Sequence, residues 1–139
     1  MSRKVIKFKK LQKVVVKDNG FDYKRISLLY GIYGLKAIEP FRLKEIQLEA
    51  ARKTIKKVIK KLGDVWVLLK ANRGVTQKPQ QVRMGKGKGS ISYSVALVQK
   101  GTILFELGGR RLTKKLAFFA LKLAAEKLPF KTEICIYKT

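Results

Sequence analysis

The sequence predicts a single α+β domain in which two helices pack on one mixed or antiparallel sheet. Two segments carry apolar residues at the three-to-four spacing of amphipathic helices. Short runs rich in β-branched and aromatic residues surround these segments, as is typical of strands. The 139 residues show no internal repeat and no interdomain linker, and an apolar fraction of 46% suffices for one core.

The elements follow one another with glycine or proline near most boundaries. Residues 1–24 are predicted to form a basic arm, and residues 25–139 the domain. The predicted strands are Arg25–Ile38 with a bend or bulge at its glycines, Asp64–Ala71, Ile91–Gln99, Thr102–Leu107 and Phe130–Tyr137. Lys100-Gly101 resembles a tight turn, so the third and fourth strands are expected to form a hairpin. Residues 72–90 are predicted to be one long loop, and loops of this length are usually functional.

The two helices are predicted from their apolar stripes. The first covers Lys44–Leu62 and ends before Gly63, with a stripe of Ile46, Ala50, Ala51, Ile55, Val58, Ile59 and Leu62. The second covers Thr113–Leu128, with a stripe of Leu116, Phe119, Ala120, Leu123 and Ala124, and Pro129 ends it. Core positions are also expected for Trp66, Phe105 and Phe118.

The charge of the chain is far from balanced. Lysine and arginine number 33 against 9 acidic residues, a net charge of +24 that would repel itself in an isolated globule. Nucleic acid is the leading candidate for a neutralising partner, because contacts with phosphates release condensed counterions. An anionic membrane surface is the weaker alternative. The basic residues occur along the whole chain, which is typical of ribosomal proteins and also allows a small architectural DNA binder.

The segment VRMGKGKGS, Val82–Ser90, combines three glycines with three positive charges. A nucleotide-binding P-loop requires Ser or Thr after its lysine and a helix directly afterwards. Here Gly89 follows Lys88, and a strand is predicted next, which argues against a nucleotide. In a nucleic-acid site, the glycines let the backbone approach a sugar-phosphate chain, Arg83 supplies a bidentate contact, and Met84 an adaptable apolar one. A nucleotide-dependent enzyme and a free nucleic-acid-binding module remain the alternatives.

The sequence offers few residues for metal binding or catalysis. Histidine is absent and Cys135 is the single cysteine, so neither a zinc site nor a Ser/His/Asp set is expected. We predict no enzymatic activity, cofactor, metal, membrane association or homo-oligomer, and a buried strand position for Cys135. Phe8, Tyr30 and Tyr33 are candidates for stacking on bases.

Five stretches then become specific in combination: YGLKAIEPFRL, LEAARKTI, VTQKPQQVRMGKGKGS, GTILFEL and ALKLAAEKLPFKTE. They resemble the large-subunit ribosomal protein family L-sixteen, whose archaeal and eukaryotic branch is called L-ten-e. The resemblance covers Tyr33 to Glu133, and the basic stretch KFKK of the arm also fits. It implies a hammerhead-type α+β fold and binding to large-subunit rRNA, to neighbouring ribosomal proteins and to tRNA at the aminoacyl site near the peptidyl-transferase centre.

The resemblance also implies site residues. The RNA-binding loop of the family corresponds to Arg83, Met84, Gly85, Lys86, Gly87, Lys88 and Gly89, and Lys78 is also predicted to bind rRNA or tRNA. Further RNA contacts are expected at Arg3, Lys4, Lys7, Lys9, Lys10, Arg42, Arg110 and Arg111. The stretch GGRRLTKK departs from the acidic helix start usual in the family, which suggests an added RNA or protein contact. The preference for lysine over arginine suggests an AT-rich genome, so a mitochondrial ribosome is predicted, with a plastid or bacterial cytoplasmic ribosome as the alternative.

Overall fold

The computed structural model describes residues 27–137 together with Lys10 and Val16. Within these residues the chain forms seven strands and two helices. In chain order they are β1 Tyr33–Ala37, β2 Phe41–Lys44, α1 Glu45–Ile59, β3 Asp64–Val67, β4 Arg73–Gln77, β5 Ser90–Val98, β6 Ile103–Gly108, α2 Lys114–Ala125 and β7 Thr132–Ile136. The predicted arm of residues 1–24 lies outside the described residues except at Lys10 and Val16.

The strands form two antiparallel sheets, one of four strands in the order β3-β6-β1-β7 and one of three in the order β2-β5-β4. The α+β fold class is therefore confirmed, but the predicted hairpin of β5 with β6 is wrong. After β5 the chain turns onto the end of β1, where the Gly101 N–H donates to the Ala37 carbonyl at 2.8 Å and the Ala37 N–H donates to Thr102 at 2.9 Å. The turn thus carries the chain from one sheet to the other.

Two strands were not predicted. β2 lies directly after Pro40 and has only four residues, and β4 occupies part of the predicted loop of residues 72–90. Both pair with β5, one on each side. Neither segment has a strong strand pattern of its own. Both are strands because they pair with the long central strand β5. The loop is consequently shorter than predicted and extends over residues 78–89.

The first predicted strand is also shorter than expected, since β1 begins at Tyr33. The bend or bulge was predicted at Gly31 and Gly34, whereas the register shift of this strand lies between Leu35 and Lys36. Before β1 the backbone passes very close to β6, where a Cβ on Gly31 would lie 2.5 Å from the carbonyl oxygen of Leu107. Only glycine fits at this crossing.

The core lies between the helices and the sheets. The two helices pack against each other, α2 packs on β1 and β7, and α1 contacts strands of both sheets. The buried residues of the helices are Leu48, Ala51, Ile55 and Ile59 in α1 and Ala117, Ala120, Leu121 and Ala124 in α2. Full burial of a Leu or Ile side chain contributes about 1.5–3 kcal/mol, so these two faces hold the helices in place.

The predicted stripes are correct along their central lines, where Ala51, Ile55, Ile59, Ala120 and Ala124 are buried, and wrong along their edges. Ile46 is 75% exposed and Phe119 is 55% exposed, and Ala50 and Leu62 also face solvent. The buried face of α2 consists mainly of the small residues Ala117, Ala120 and Ala124, which let the two helices approach closely. Phe105 is fully buried as predicted, whereas Trp66 and Phe118 are only partly buried.

Candidate nucleic-acid interface

The loop of residues 78–89 connects β4 to β5 and forms the extended end of this strand pair. Gln77 and Ser90 are the last paired residues on its two sides. Residues 79–88 are all exposed, and Met84 is 95% exposed. The loop contributes nothing to the core, so its side chains are available to a partner.

Three consecutive residues of the loop have positive φ: Gly85 at 91°, Lys86 at 51° and Gly87 at 87°. A Cβ on either glycine would meet nothing within 4 Å. The glycines are therefore required by backbone conformation and not by crowding, since a left-handed conformation costs an ordinary residue about 1–2 kcal/mol. At Gly89 the reason differs, because a Cβ there would lie 2.6 Å from the carbonyl oxygen of Gln77.

Two lysine side chains contact the loop backbone. The Lys78 ammonium donates to the carbonyl of Gly85 and closes the loop across its width. The Lys10 ammonium donates to the carbonyl of Lys88 at 3.2 Å. Lys10, a predicted RNA contact in the arm, therefore lies against the predicted RNA-binding loop. Both contacts are made to carbonyl oxygens of the loop, so both cations bind its backbone and not its side chains.

The loop is followed by strand β5 and not by a helix. The helix N-terminus that holds the phosphates in a P-loop is therefore missing at this position. The geometry argues against a nucleotide site and agrees with a surface that follows an extended polyanion.

The remaining predicted RNA contacts lie in other parts of the structure. Arg42 is partly buried on β2, opposite Leu97 of β5. Arg110 and Arg111 are exposed between β6 and α2, away from the loop in the fold. Four predicted contacts lie outside the described residues: Arg3, Lys4, Lys7 and Lys9.

Arg110 and Arg111 line a solvent-open groove of about 290 Å³. Its other wall follows the end of α1, and the full lining is Lys61, Leu62, Gly63, Asp64, Gly109, Arg110 and Arg111. The two walls touch where a Cβ on Gly109, whose φ is 146°, would lie 2.7 Å from the Cα of Gly63. The groove therefore has three cationic side chains and a single carboxylate, Asp64.

Glu106, which was not among the predicted site residues, is fully buried on β6. Its carboxylate accepts hydrogen bonds from the N–H groups of Leu29, at 3.0 and 3.1 Å, of Tyr30 at 2.6 Å and of Gly31 at 2.8 Å. Buried carboxylates are rare unless they are paired in this way. An acidic residue inside the apolar run TILFEL was the only sequence signal that could have pointed to it.

The stacking candidates occupy different positions. The Tyr30 ring is 63% exposed and stacks near Trp66 of β3, with ring centroids 6.2 Å apart and planes inclined by 25°. Tyr33 is partly buried and meets Phe118 edge to face, with centroids 6.1 Å apart. Tyr33 therefore packs at the edge of the core, while Tyr30 presents an aromatic surface to solvent. Phe8 lies outside the described residues.

Few groups offer reactive chemistry. Cys135 is a partly buried residue of β7, and burial raises the pKa of its thiol, so it is protonated at neutral pH. Among residues 27–137, Lys10 and Val16, no cluster of three metal-ligating side chains occurs. In the same part of the chain, no helix is long and apolar enough to cross a membrane.

The fold and the loop together define a small basic α+β protein with an exposed cationic glycine loop. Residues 3–135 match the family model described as Ribosomal protein L16p/L10e. The chain belongs to this family, as its sequence blocks indicated. It is a structural component of the ribosome and not an enzyme.

Curated relatives agree along nearly the whole chain. The chain is 50% identical over 103 residues to "Large ribosomal subunit protein uL16" of Buchnera aphidicola subsp. Baizongia pistaciae, a match that covers 74% of each chain. It is 44% identical over 129 residues to the protein of the same name from Buchnera aphidicola subsp. Cinara cedri, which covers 93% of this chain and 91% of the relative. The protein of that name from Blochmanniella floridana is 42% identical over 133 residues.

Proposed function

We propose that this chain is a structural constituent of the large ribosomal subunit that binds rRNA and helps to shape the aminoacyl-tRNA site near the peptidyl-transferase centre. Family membership and the name shared by its relatives support the subunit. The contact with tRNA rests on the loop of residues 78–89. The single observation that carries it is the run of three positive-φ residues, Gly85 to Gly87, in a cationic loop that packs on nothing.

The loop suits a folded RNA for physical reasons. Gly85 and Gly87 remove side chains from the backbone, so that N–H groups reach phosphate oxygens directly. Arg83, Lys86 and Lys88 add charge along the same short segment. Met84 is nearly fully exposed and supplies an apolar contact with a base or sugar. No acid or base that could act on a substrate lies within the loop itself.

The test compares large subunits reconstituted with the Lys86→Gln/Lys88→Gln double variant and with the wild-type chain. Loss of two phosphate contacts should lower tRNA affinity at the aminoacyl site about tenfold. It should also reduce the slope of log affinity against log salt by roughly 1.4 to 1.8. A matched control is Lys53→Gln/Lys57→Gln, which removes two exposed lysines from α1. Equal effects of both pairs, or no effect of the loop pair, would contradict the proposed contact.

A free nucleic-acid-binding module is the alternative to a ribosomal protein. Sedimentation of growing-cell lysates at moderate salt separates the two, because a ribosomal constituent travels with the large subunit. Recovery of the chain only in the free fractions would reject the proposed function.

The mitochondrial ribosome remains the predicted location within the cell. The reported relatives come from bacteria, which favours the bacterial alternative over the mitochondrial one. Localisation of the tagged chain in the source cell, with a mitochondrial and a cytoplasmic ribosomal protein as markers, separates these possibilities.

A further inference from the structure

We propose that Tyr30, Trp66 and the groove lined by Arg110 and Arg111 form a second RNA site, which binds unpaired nucleotides. We call it the aromatic-groove site. It rests on the proposed RNA partner but not on the role of the loop of residues 78–89. The loop joins β4 to β5 in the three-stranded sheet, whereas this site lies at the end of β3 and β6 in the four-stranded sheet.

The aromatic surface and the groove are continuous. A Cβ on Gly108 would lie 3.0 Å from the Cζ3 atom of Trp66 and 3.4 Å from the Cα of Gly31. The chain then passes through Gly109 directly to Arg110, which lines the groove. Two successive glycines thus bring the Tyr30–Trp66 pair and the cationic wall together without a side chain between them.

The aromatic surface is held in advance of binding. The buried carboxylate of Glu106 accepts the N–H groups of Leu29, Tyr30 and Gly31 and so fixes the backbone on which the Tyr30 ring stands. Trp66 lies directly opposite Glu106 in the β3–β6 pair and stacks near the ring. Neighbouring Val65 and Val67 pack on the core, so Trp66 points to the opposite face of its strand. Little ordering entropy remains to oppose binding of a base.

The charges at the groove exceed their local compensation. Lys61, Arg110 and Arg111 face the single carboxylate of Asp64. The first turn of α2 adds Lys114 and Lys115 and contains no acid, although a helix N-terminus favours negative charge. This local excess of positive charge favours an anionic ligand.

Unpaired RNA satisfies both halves of the site. Aromatic rings beside a cationic groove are the features that bind single-stranded nucleic acid, with bases stacked on the rings and phosphates on the cations. An acidic protein segment would satisfy Lys61, Arg110 and Arg111, but it offers no broad planar group for Tyr30. RNA is therefore the favoured partner.

The chain carries its own reporter for this site, since Trp66 is its only tryptophan. The full chain is titrated with single-stranded polyuridine, with a base-free ribose-phosphate polymer of equal length and with polyglutamate of equal charge. Binding is followed by the anisotropy of labelled polymer and, in parallel, by Trp66 fluorescence. We expect polyuridine to change the fluorescence strongly and the base-free polymer and polyglutamate to bind with little change. Unchanged fluorescence at saturation with polyuridine, equal changes with the base-free polymer, or tighter binding of polyglutamate would overturn the proposal.

Substitutions test which residues contribute to the affinity for RNA. Tyr30→Ala should weaken polyuridine binding about fivefold or more and leave the base-free polymer unaffected, while Tyr30→Phe should preserve binding. Arg110→Gln/Arg111→Gln should weaken all RNA polymers and reduce the salt slope by about 1.4. Urea unfolding checks that each variant is folded. Equal affinity of Tyr30→Ala and the wild type would contradict the stacking.

Failure of this proposal is distinguishable from failure of the loop. Suppose that Lys86→Gln/Lys88→Gln impairs tRNA binding in the subunit, but Arg110→Gln/Arg111→Gln leaves the Trp66 fluorescence response intact. The proposed role of the loop is then supported and the aromatic-groove site is rejected. If Arg110→Gln/Arg111→Gln changes the Trp66 fluorescence response and Lys86→Gln/Lys88→Gln has no effect in the subunit, the aromatic-groove site is supported and the proposed role of the loop is rejected. Lys53→Gln/Lys57→Gln serves again as the charge control for both.

Discussion

The loop of residues 78–89 and the aromatic-groove site present positive charge in opposite ways. The loop has ten consecutive exposed residues, 79–88, and Gly85 and Gly87 are needed there for backbone conformation and not for lack of space. In the aromatic-groove site, the buried carboxylate of Glu106 holds residues 29–31, the segment that carries Tyr30. A loop without packing must lose conformational entropy when it binds, whereas a segment fixed by a buried carboxylate has already lost it on folding. Mutations should therefore affect binding alone in the first region and folding as well in the second.

The largest expected effect is at Glu106. Replacement by Ala leaves the N–H groups of Leu29, Tyr30 and Gly31 without their acceptor and opens a cavity, so we expect a loss of about 2–4 kcal/mol in the free energy of unfolding. Urea denaturation measures it. The control is Glu133→Ala, which removes an exposed carboxylate that pairs with Lys36 at 3.1 Å and should cost less than about 1 kcal/mol. Similar losses in both variants would remove the distinction between the two regions.

A pair of glycine substitutions sharpens the same contrast. Gly31→Ala places a Cβ against the Leu107 carbonyl and should destabilise the protein by about 1–3 kcal/mol. Gly87→Ala meets only open space, and the strain of its φ of 87° is borne by a loop outside the core. We expect this variant to unfold within about 0.5 kcal/mol of the wild type, yet to bind RNA more weakly. Thermal and urea unfolding combined with RNA titration test both statements. A strongly destabilised Gly87→Ala would mean that the loop takes part in the cooperative fold.

The smallest effect concerns an ion pair in neither region. Arg52 donates to Glu49 through Nη2 at 2.6 Å and through Nε at 2.8 Å, and these hydrogen bonds lower the pKa of the Glu49 carboxyl from its ordinary 4.5. Because the folded-state pKa is the lower one, the stabilisation is present above pH 4.5 and is lost as the pH falls through the folded-state value. Both groups are well exposed, so it amounts to about 0.5 kcal/mol or less. Urea unfolding of Glu49→Gln across this acid range should show a weaker pH dependence than the wild type. An identical dependence would argue against the pair.

Local patterns predicted the parts of the fold that depend on neighbouring residues. The existence of both helices, the strand β3 after Gly63 and the cationic glycine loop all follow from spacing and composition. The RNA partner followed from the charge and from the resemblance of five sequence blocks. The margins of the helix stripes did not, since Ile46 and Phe119 have the right spacing but lie where no partner covers them.

Pairing between distant segments could be decided only by the tertiary structure. β6 follows β5 after a turn that looks like a hairpin, yet the two strands belong to different sheets because each pairs with strands elsewhere in the chain. β4 forms within an apparent loop for the same reason.

The sequence alone thus determined a basic α+β chain with two helices and a cationic glycine loop, because amphipathic spacing, net charge and glycine content are local properties. Only the tertiary structure placed Tyr30 beside Trp66, set Glu106 beneath them and opened the groove at Arg110 and Arg111. These residues come from three separate segments, and nothing in their local sequence indicates that burial of a carboxylate, close contact at glycines and pairing of β3 with β6 would bring them together.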